Sequence, residues 1–341
     1  MGARMAGEGG SGVVFRRLTR SIGAEVEGLD LRKADTSAVA DALREGLCRH
    51  HVLFFRAQHL DDSAHVAVAE ALGEPMIHPF ERAMGRTDPL HSIVDKPEDV
   101  PDRAGWHTDD SYLERPPAYA VLRCDVAPET GGDTAWFNMA KAYDDLSQQM
   151  KLFLSGLKGF HATEGRLLDY VREHLPKERV APALEEVGPG AEHPIVRTHP
   201  ESGLRALFFE PNFMTRVVGV SSAESDFVCR FLSSQVSNVS LQCRFRWQQG
   251  DVAIWDERTT QHIGSADHAG ELRVLRRCTV VGERPYQADE LAVPGRSSES
   301  EKGRDSGRGI RPSSFRPASR GPWSSTSQSC PRTEAARRPR R

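Results

Sequence analysis

An imidazole and a carboxylate stand two residues apart at His107 and Asp109 in Gly-Trp-His-Thr-Asp-Asp, and a second imidazole, His262, follows far downstream in Trp-Asp-Glu-Arg-Thr-Thr-Gln-His. On a β-strand or at its end, residues i and i+2 point to one side, so both groups of His-x-Asp can reach one metal ion. Two histidines and a carboxylate leave half an octahedron open, which is the pattern of non-haem Fe(II) oxygenases, whose vacant positions take a co-substrate and O2. A chain with 13 histidines and 48 acidic residues yields His-x-Asp pairs by chance, so the surroundings of the trio carry the weight.

Those surroundings include Arg273 and Arg277 in Arg-Val-Leu-Arg-Arg-Cys-Thr-Val-Val. The segment reads as β-strand, in which 273, 275 and 277 share one face, so the two arginines point the same way beside the metal trio. An inward guanidinium needs an anionic partner, because a buried unpaired charge costs several kcal/mol. A dicarboxylate co-substrate supplies one: a guanidinium forks onto one carboxylate while the keto-acid end chelates iron. Thr134, in Thr-Gly-Gly-Asp-Thr-Ala-Trp, can add a hydroxyl to the same carboxylate.

In this order, His107-x-Asp109, Thr134 within Gly-Gly-Asp-Thr-x-Trp, Trp255-Asp-x-Arg-x-x-x-His262, Arg273 and Arg277, the chain resembles the taurine dioxygenase family, which includes 2,4-dichlorophenoxyacetate dioxygenase and alkylsulfatase-type enzymes. Segments at Ile22–Leu31, Val52–Arg56, Pro194–Pro200 and Phe213–Arg216 are also similar, so the likeness spans about residues 13 to 290. The resemblance implies an Fe(II)- and 2-oxoglutarate-dependent dioxygenase using O2. It implies that His107, Asp109 and His262 ligate iron, that Thr134 and Arg273 hold the distal carboxylate of 2-oxoglutarate, and that Arg277 faces the anionic head of the prime substrate. His78 and Phe213 match substrate-pocket positions. Two departures bear on the substrate: Arg103 stands where the taurine enzyme has Asn, and Glu81 where it has Tyr. The implied reaction hydroxylates a small organic anion (a taurine-like sulfonate, alkyl sulfate, aryloxyacid or amino-acid-like molecule) and converts 2-oxoglutarate to succinate and CO2. Beyond the metal ligands no catalytic side chain is implied.

Two rival functions use the same trio. A zinc hydrolase accepts two His and a carboxylate around an activated water, but has no reason to reserve Arg273 and Thr134 for a dicarboxylate. A catalytically silent sensor would keep the fold without turnover.

The elements that must position these residues alternate along the chain. Val13–Phe15 and Ala24–Val26 read as short strands, Val52–Phe55 as a buried one, and Thr36–Arg49 as an amphipathic helix with Val39, Leu43 and Leu47 at helical spacing. Asp62 or Ser63 is placed to cap a helix running to Leu72 and ended by Gly73. Further helices are expected at 140–146 and 222–236. Between Gln242 and Trp255, alternating Cys243, Phe245 and Trp247 lead through Gln-Gly-Asp into Val-Ala-Ile-Trp, the pattern of a β-hairpin. Many short strands with outer helices suit a mostly β fold, a double-stranded β-helix or cupin-like jelly roll, which the resemblance also implies. Asp256 and Arg258 read either as a pair steering the loop that bears His262 or as a surface ion pair. His161 and His199 lack partners at ligand spacing and read as core or surface residues, and Gly131-Gly132 as a tight turn before Thr134.

Composition bounds the rest. With 341 residues, 38% hydrophobic and 27% charged, the chain suits one large domain with an appendage. No apolar run nears the roughly 18 residues of a membrane span and the start lacks a signal-peptide stretch, so a cytoplasmic enzyme without membrane partner is expected. Six cysteines form no Cys-x-x-Cys pair and read as buried thiols. Residues 294–341 hold 12 Lys and Arg against 4 Asp and Glu among Ser, Pro and Gly, and so read as a disordered basic tail with no catalytic or nucleic-acid role. Residues 1–12 read as a disordered start and 13–293 as the dioxygenase domain. The partner is a small-molecule substrate, with a homo-oligomer left open.

Overall fold

The computed structural model describes residues 12–33, 37–99, 105–163 and 166–288. The expected tail at 294–341 and nearly all of the expected disordered start lie outside them. In chain order the strands and helices are β1 (Val14–Arg17), β2 (Ala24–Glu27), α1 (Ser37–His50), β3 (Val52–Phe55), α2 (Asp62–Leu72), α3 (Pro79–Ala83), β4 (His91–Asp95), β5 (Pro117–Val126) and β6 (Thr134–Asn138). There follow α4 (Met139–Asp144), α5 (Gln148–Leu154), β7 (Lys158–His161), α6 (Arg166–His174), α7 (Lys177–Val187), β8 (Ala191–Pro194), β9 (Val196–Thr198), β10 (Arg205–Leu207), β11 (Met214–Val217) and α8 (Ser222–Gln235). The chain continues through β12 (Gln242–Phe245), β13 (Val252–Asp256), β14 (Thr260–Gly264) and β15 (Arg273–Val281).

The fold is mostly β with helices packed outside. A seven-stranded sheet runs β1-β2-β3-β13-β5-β15-β4, and a three-stranded sheet runs β12-β6-β14. Val52-Leu-Phe-Phe is apolar throughout because β3 is covered on both faces. Leu53 and Phe55 join Leu43 and Leu47 of α1 and Val68 and Leu72 of α2 in the outer core. Val52 and Phe54 turn the other way, to Trp136, Phe245, Trp247 and Trp255 between the two sheets. There Phe54 stacks on Phe245 at 4.3 Å and Trp136 meets Trp255 edge-on at 5.6 Å, so aromatic rings fill the space between the sheets.

Two expectations are corrected. The cap of α2 is Asp61, whose Oδ1 accepts from the Ala64 amide at 2.7 Å. Asp62 is drawn away instead to the guanidinium groups of Arg123 and Arg276. Nor do β12 and β13 form a hairpin: β12 pairs with β6, whereas β13 lies between β3 and β5. The turn at Gly250 is present, with φ 84°, but both edges of β13 are taken, so the chain crosses from one sheet to the other. Alternation correctly gave the inward faces of Cys243 and Phe245; it carries no information about which sheet a strand joins.

Candidate active site

Backbone pairing brings the distant histidines together. The His107 amide donates to the His262 carbonyl at 3.0 Å and the His262 amide to the His107 carbonyl at 2.8 Å, an isolated bridge from the 105–110 segment onto β14. The imidazole centroids consequently lie 4.1 Å apart. Thr108, pointing the other way, donates its hydroxyl to the Thr260 carbonyl at 3.1 Å, leaving His107 and Asp109 on the same side. Nε2 of His107 and Nε2 of His262 stand 3.8 and 3.9 Å from Oδ1 of Asp109, and one ligand atom from each residue lies within 4.8 Å of the others. Two bonds of about 2.1 Å link donors up to about 4.2 Å apart, a span that both His–Asp109 separations meet.

Orientation supports that fit. Nδ1 of His107 faces the Gly105 carbonyl at 2.8 Å, which as donor leaves the Nε2 lone pair free for metal. Burial opposes ionisation of Asp109, but Arg277, His262 and His107 outweigh it and hold the carboxyl well below the usual range. Burial, with His107 beside it, holds His262 well below the ordinary imidazole value, so both side chains are in ligating form at neutral pH.

The loop before His262 is fixed from behind. Arg258 forks onto Asp256, Nε to Oδ1 at 2.9 Å and Nη2 to Oδ2 at 2.7 Å, and the pair is buried. Asp256 also meets His199 Nε2 at 2.8 Å and its carbonyl accepts from the Thr260 hydroxyl. Of the two readings of this pair the buried, loop-steering one holds, and His199 belongs to it. His161 is a core residue bonded to Ser111.

On one side of the trio lies a cavity of about 210 Å³ lined by His107, His262, Thr134, Arg273, Leu275 and Arg277 among others. Arg273, Leu275 and Arg277 share the inner face of β15, as alternation requires. Thr134 Oγ1 accepts from the Trp247 indole at 3.0 Å, so its own hydrogen remains to be donated. Arg273 donates Nε to the Gly132 carbonyl at 3.0 Å and Nη1 to Asp95 at 3.1 Å. Gly132 (φ 65°) permits this approach, since a Cβ there would sit 3.0 Å from Cδ of Arg273. A hydroxyl donor and a held guanidinium on the same cavity as His107 and His262 suit a dicarboxylate that chelates at its other end.

A second cavity, of about 240 Å³, is lined by Met76, Phe80, Met84, Leu90 and Leu175 with the polar His78, Glu81, His91, Asp110, Tyr112 and Arg277. Arg277 lines both cavities and donates Nη1 to Asp109 Oδ2 at 2.7 Å. His78 Nδ1 accepts from the Phe80 amide, so its Nε2 is the donor, facing Tyr112 at 2.9 Å and Asp110 at 3.3 Å. Glu81 points inward and is met by His91 at 3.0 Å and Arg86 at 2.9 Å. Phe213 is not among the lining residues; it packs edge-on against Tyr112 at 4.8 Å and braces that wall. Arg103 lies outside the described residues.

Sequence reasoning missed Glu257, Asp95 and His268. Glu257 is 1% exposed and faces the trio, and burial together with the Asp109 charge raises its carboxyl well above the ordinary range. The cue was available, since Glu257 lies two residues beyond the inward Trp255 and so shares its side. His268 meets Asp95, which meets Arg273, through contacts across the chain that no spacing signals.

Comparison with known proteins agrees with this geometry. The model of the taurine catabolism dioxygenase TauD, TfdA family matches residues 15–279. An alkylsulfatase of Acinetobacter baylyi is 37% identical over 275 residues, covering 79% of this chain and 85% of the relative. An alpha-ketoglutarate-dependent sulfate ester dioxygenase of Pseudomonas putida is 37% identical over 275 residues, covering 79% and 89%. The crystal structure of a taurine dioxygenase from Burkholderia xenovorans is 33% identical, superposes with a TM-score of 0.66, and is covered over 92% of its length by 80% of this chain.

Proposed function

This chain belongs to the TauD, TfdA family of dioxygenases, and from that premise we propose that it oxidises a small organic anion carrying a sulfate or sulfonate head on an apolar body. It is an Fe(II)- and 2-oxoglutarate-dependent dioxygenase, which sets aside the zinc hydrolase. The two facing sheets then form the double-stranded β-helix of the taurine dioxygenases it superposes on. The observation that carries the substrate reading is Arg277, the cation that lines both cavities and reaches Asp109 of the metal trio.

His107, Asp109 and His262 would hold the iron. When bound, it supplies with 2-oxoglutarate and O2 the oxidising power that yields succinate and CO2 and hydroxylates a C–H bond. Every other part belongs to the protein. Arg273 and Thr134 hold the distal carboxylate of the co-substrate and so set which way its keto-acid end points. Arg277 takes the anionic head of the prime substrate, with the donor Nε2 of His78 on the same cavity, while Met76, Phe80, Met84, Leu90 and Leu175 line the space for an alkyl body. Holding both ends fixes one carbon relative to the metal ligands, and that positioning is the protein's main contribution to rate. Hydroxylation of a carbon bonded to sulfate oxygen or to sulfonate sulfur gives a product that collapses to an aldehyde and releases the anion. No helix among the described residues is long and apolar enough to cross a membrane, and a cytoplasmic enzyme acting on a small molecule, without nucleic acid, completes the reading.

The test is succinate release with Fe(II), 2-oxoglutarate and a panel of alkyl sulfates, alkanesulfonates, taurine, aryloxyacetates and amino acids. Release is expected to rise severalfold with an alkyl sulfate or alkanesulfonate and to fall when the head is replaced by a neutral hydroxyl. Equal turnover of the neutral alcohol would refute it.

A further inference from the structure

The taurine-type ligand set accounts for three polar side chains at the metal, yet a fourth, Glu257, is buried against them without a role. β13 ends at Asp256, and alternation at that end sends Asp256 outward to Arg258 and His199 while Trp255 and Glu257 turn inward. The Glu257 carboxyl gathers donors from both sides of the centre. Its Oε1 accepts from the Trp255 indole at 2.6 Å, and its Oε2 accepts from the Asp109 backbone amide at 3.2 Å. Nδ1 of His262 is buried without a hydrogen-bond partner, and Oε1 of Glu257 stands 3.9 Å from it.

That orphan nitrogen shows what the carboxyl is for. If Nε2 of His262 binds metal, Nδ1 must carry the hydrogen, and a buried N–H without an acceptor is destabilising because its lost hydration is not replaced. A ligating histidine almost always gives its second N–H to a carboxylate or carbonyl, which fixes the ring. His107 has such an acceptor in the Gly105 carbonyl at 2.8 Å. For His262 it is Glu257, and a movement of about 1 Å brings 3.9 Å to hydrogen-bond length.

We propose that Glu257 is the positioning residue of the metal centre, clamping Asp109 through its amide and His262 through its ring so that two of the three ligands are set by one side chain. The proposal rests on the reading of His107, Asp109 and His262 as iron ligands. It explains why an acidic residue follows Asp256 in the segment that leads to His262.

The full chain and its Glu257→Gln and Glu257→Ala variants are titrated anaerobically with Fe(II) in the presence of 2-oxoglutarate, and Kd is read from the visible charge-transfer absorption of the chelate. The Co(II)-substituted proteins are compared by proton NMR, where the exchangeable ring N–H protons of ligating histidines are shifted well outside the diamagnetic envelope. Glu257→Ala weakens Fe(II) binding by about 10–100-fold, the range for loss of a group that orients a metal ligand. Its His262 N–H signal moves or is lost to exchange, while that of His107 stays. Glu257→Gln keeps an oxygen for the ring but sets its amide against the Asp109 N–H, so it binds iron more weakly than wild type and more tightly than the alanine variant. Folded variants with wild-type Kd and both N–H signals unmoved would overturn the proposal alone. Should the alanine variant not fold, the glutamine variant decides by the same two readouts. Wild-type protein that takes up no Fe(II) sinks the iron reading and this proposal with it.

Discussion

Removing the guanidinium of Arg273 separates the co-substrate from the prime substrate more sharply than any other single change. The side chain is 6% exposed, and burial lowers its pKa despite the opposing charge of Asp95. Its Nε is committed to the Gly132 carbonyl and one Nη1 contact to Asp95. Two further hydrogen bonds to a carboxylate, at about 1.5–3 kcal/mol each for a charged partner, make the lost interaction about 3–6 kcal/mol. At 1.4 kcal/mol per tenfold, Arg273→Ala raises the half-saturating 2-oxoglutarate concentration by about 10²–10⁴. Asp95, left without its cation, adds repulsion toward the incoming dicarboxylate. Arg273→Lys keeps the charge but not the fork and loses less, about tenfold. The assay is succinate formation against 2-oxoglutarate at saturating Fe(II) and prime substrate, repeated with the prime substrate varied. A threefold or smaller change in the 2-oxoglutarate requirement, or an equal change in that of the prime substrate, would refute the assignment.

Arg277→Ala reverses the pattern: the prime-substrate requirement rises by about 10² through loss of one charge-assisted contact and its field, with the 2-oxoglutarate requirement little altered at saturating Fe(II). The excess iron is needed because the same guanidinium contacts Asp109, and equal effects on both requirements mean the two arginines have been exchanged. Glu210 gives a pH signature: it is fully buried, and burial raises its carboxyl to about 8 despite bonds from Asn212 and the Phe213 amide. With the folded value above the ordinary one near 4.3, the folded state binds this proton more tightly. The stability it confers is complete below about pH 4.3 and is lost as pH rises through about 8. Glu210→Gln therefore flattens the fall in Tm between pH 5 and 8 seen by thermal unfolding, and parallel Tm profiles for the two proteins contradict this.

Local chemistry was legible in the sequence and assembly was not. His-x-Asp and the alternation of β15 are rules of the extended backbone, so they placed His107 beside Asp109 and Arg273 beside Arg277 before any fold was known. The approach of His262 depends on a two-bond bridge between segments far apart in the chain, so ligand chemistry offered it as the third donor but no spacing rule brought it to the pair. The Gln242–Trp255 segment shows the limit: its pattern gave the buried faces correctly, yet pairing is decided by which edges are open, and β3 and β5 occupy both edges of β13. Asp95 was invisible because its meaning comes from the β4–β15 register that sets it opposite Arg273. Phe213 stands one ring behind the cavity wall because Tyr112, which no motif marked, occupies the front.

Anaerobic Fe(II) and 2-oxoglutarate added to wild type and Asp109→Ala test the convergence of the three ligands most directly. One iron per chain with a chelate absorption band is expected in the wild type, and loss of that band with iron binding weakened beyond detection in the variant. An equally tight iron complex with an undiminished band after removal of the Asp109 carboxylate would contradict it.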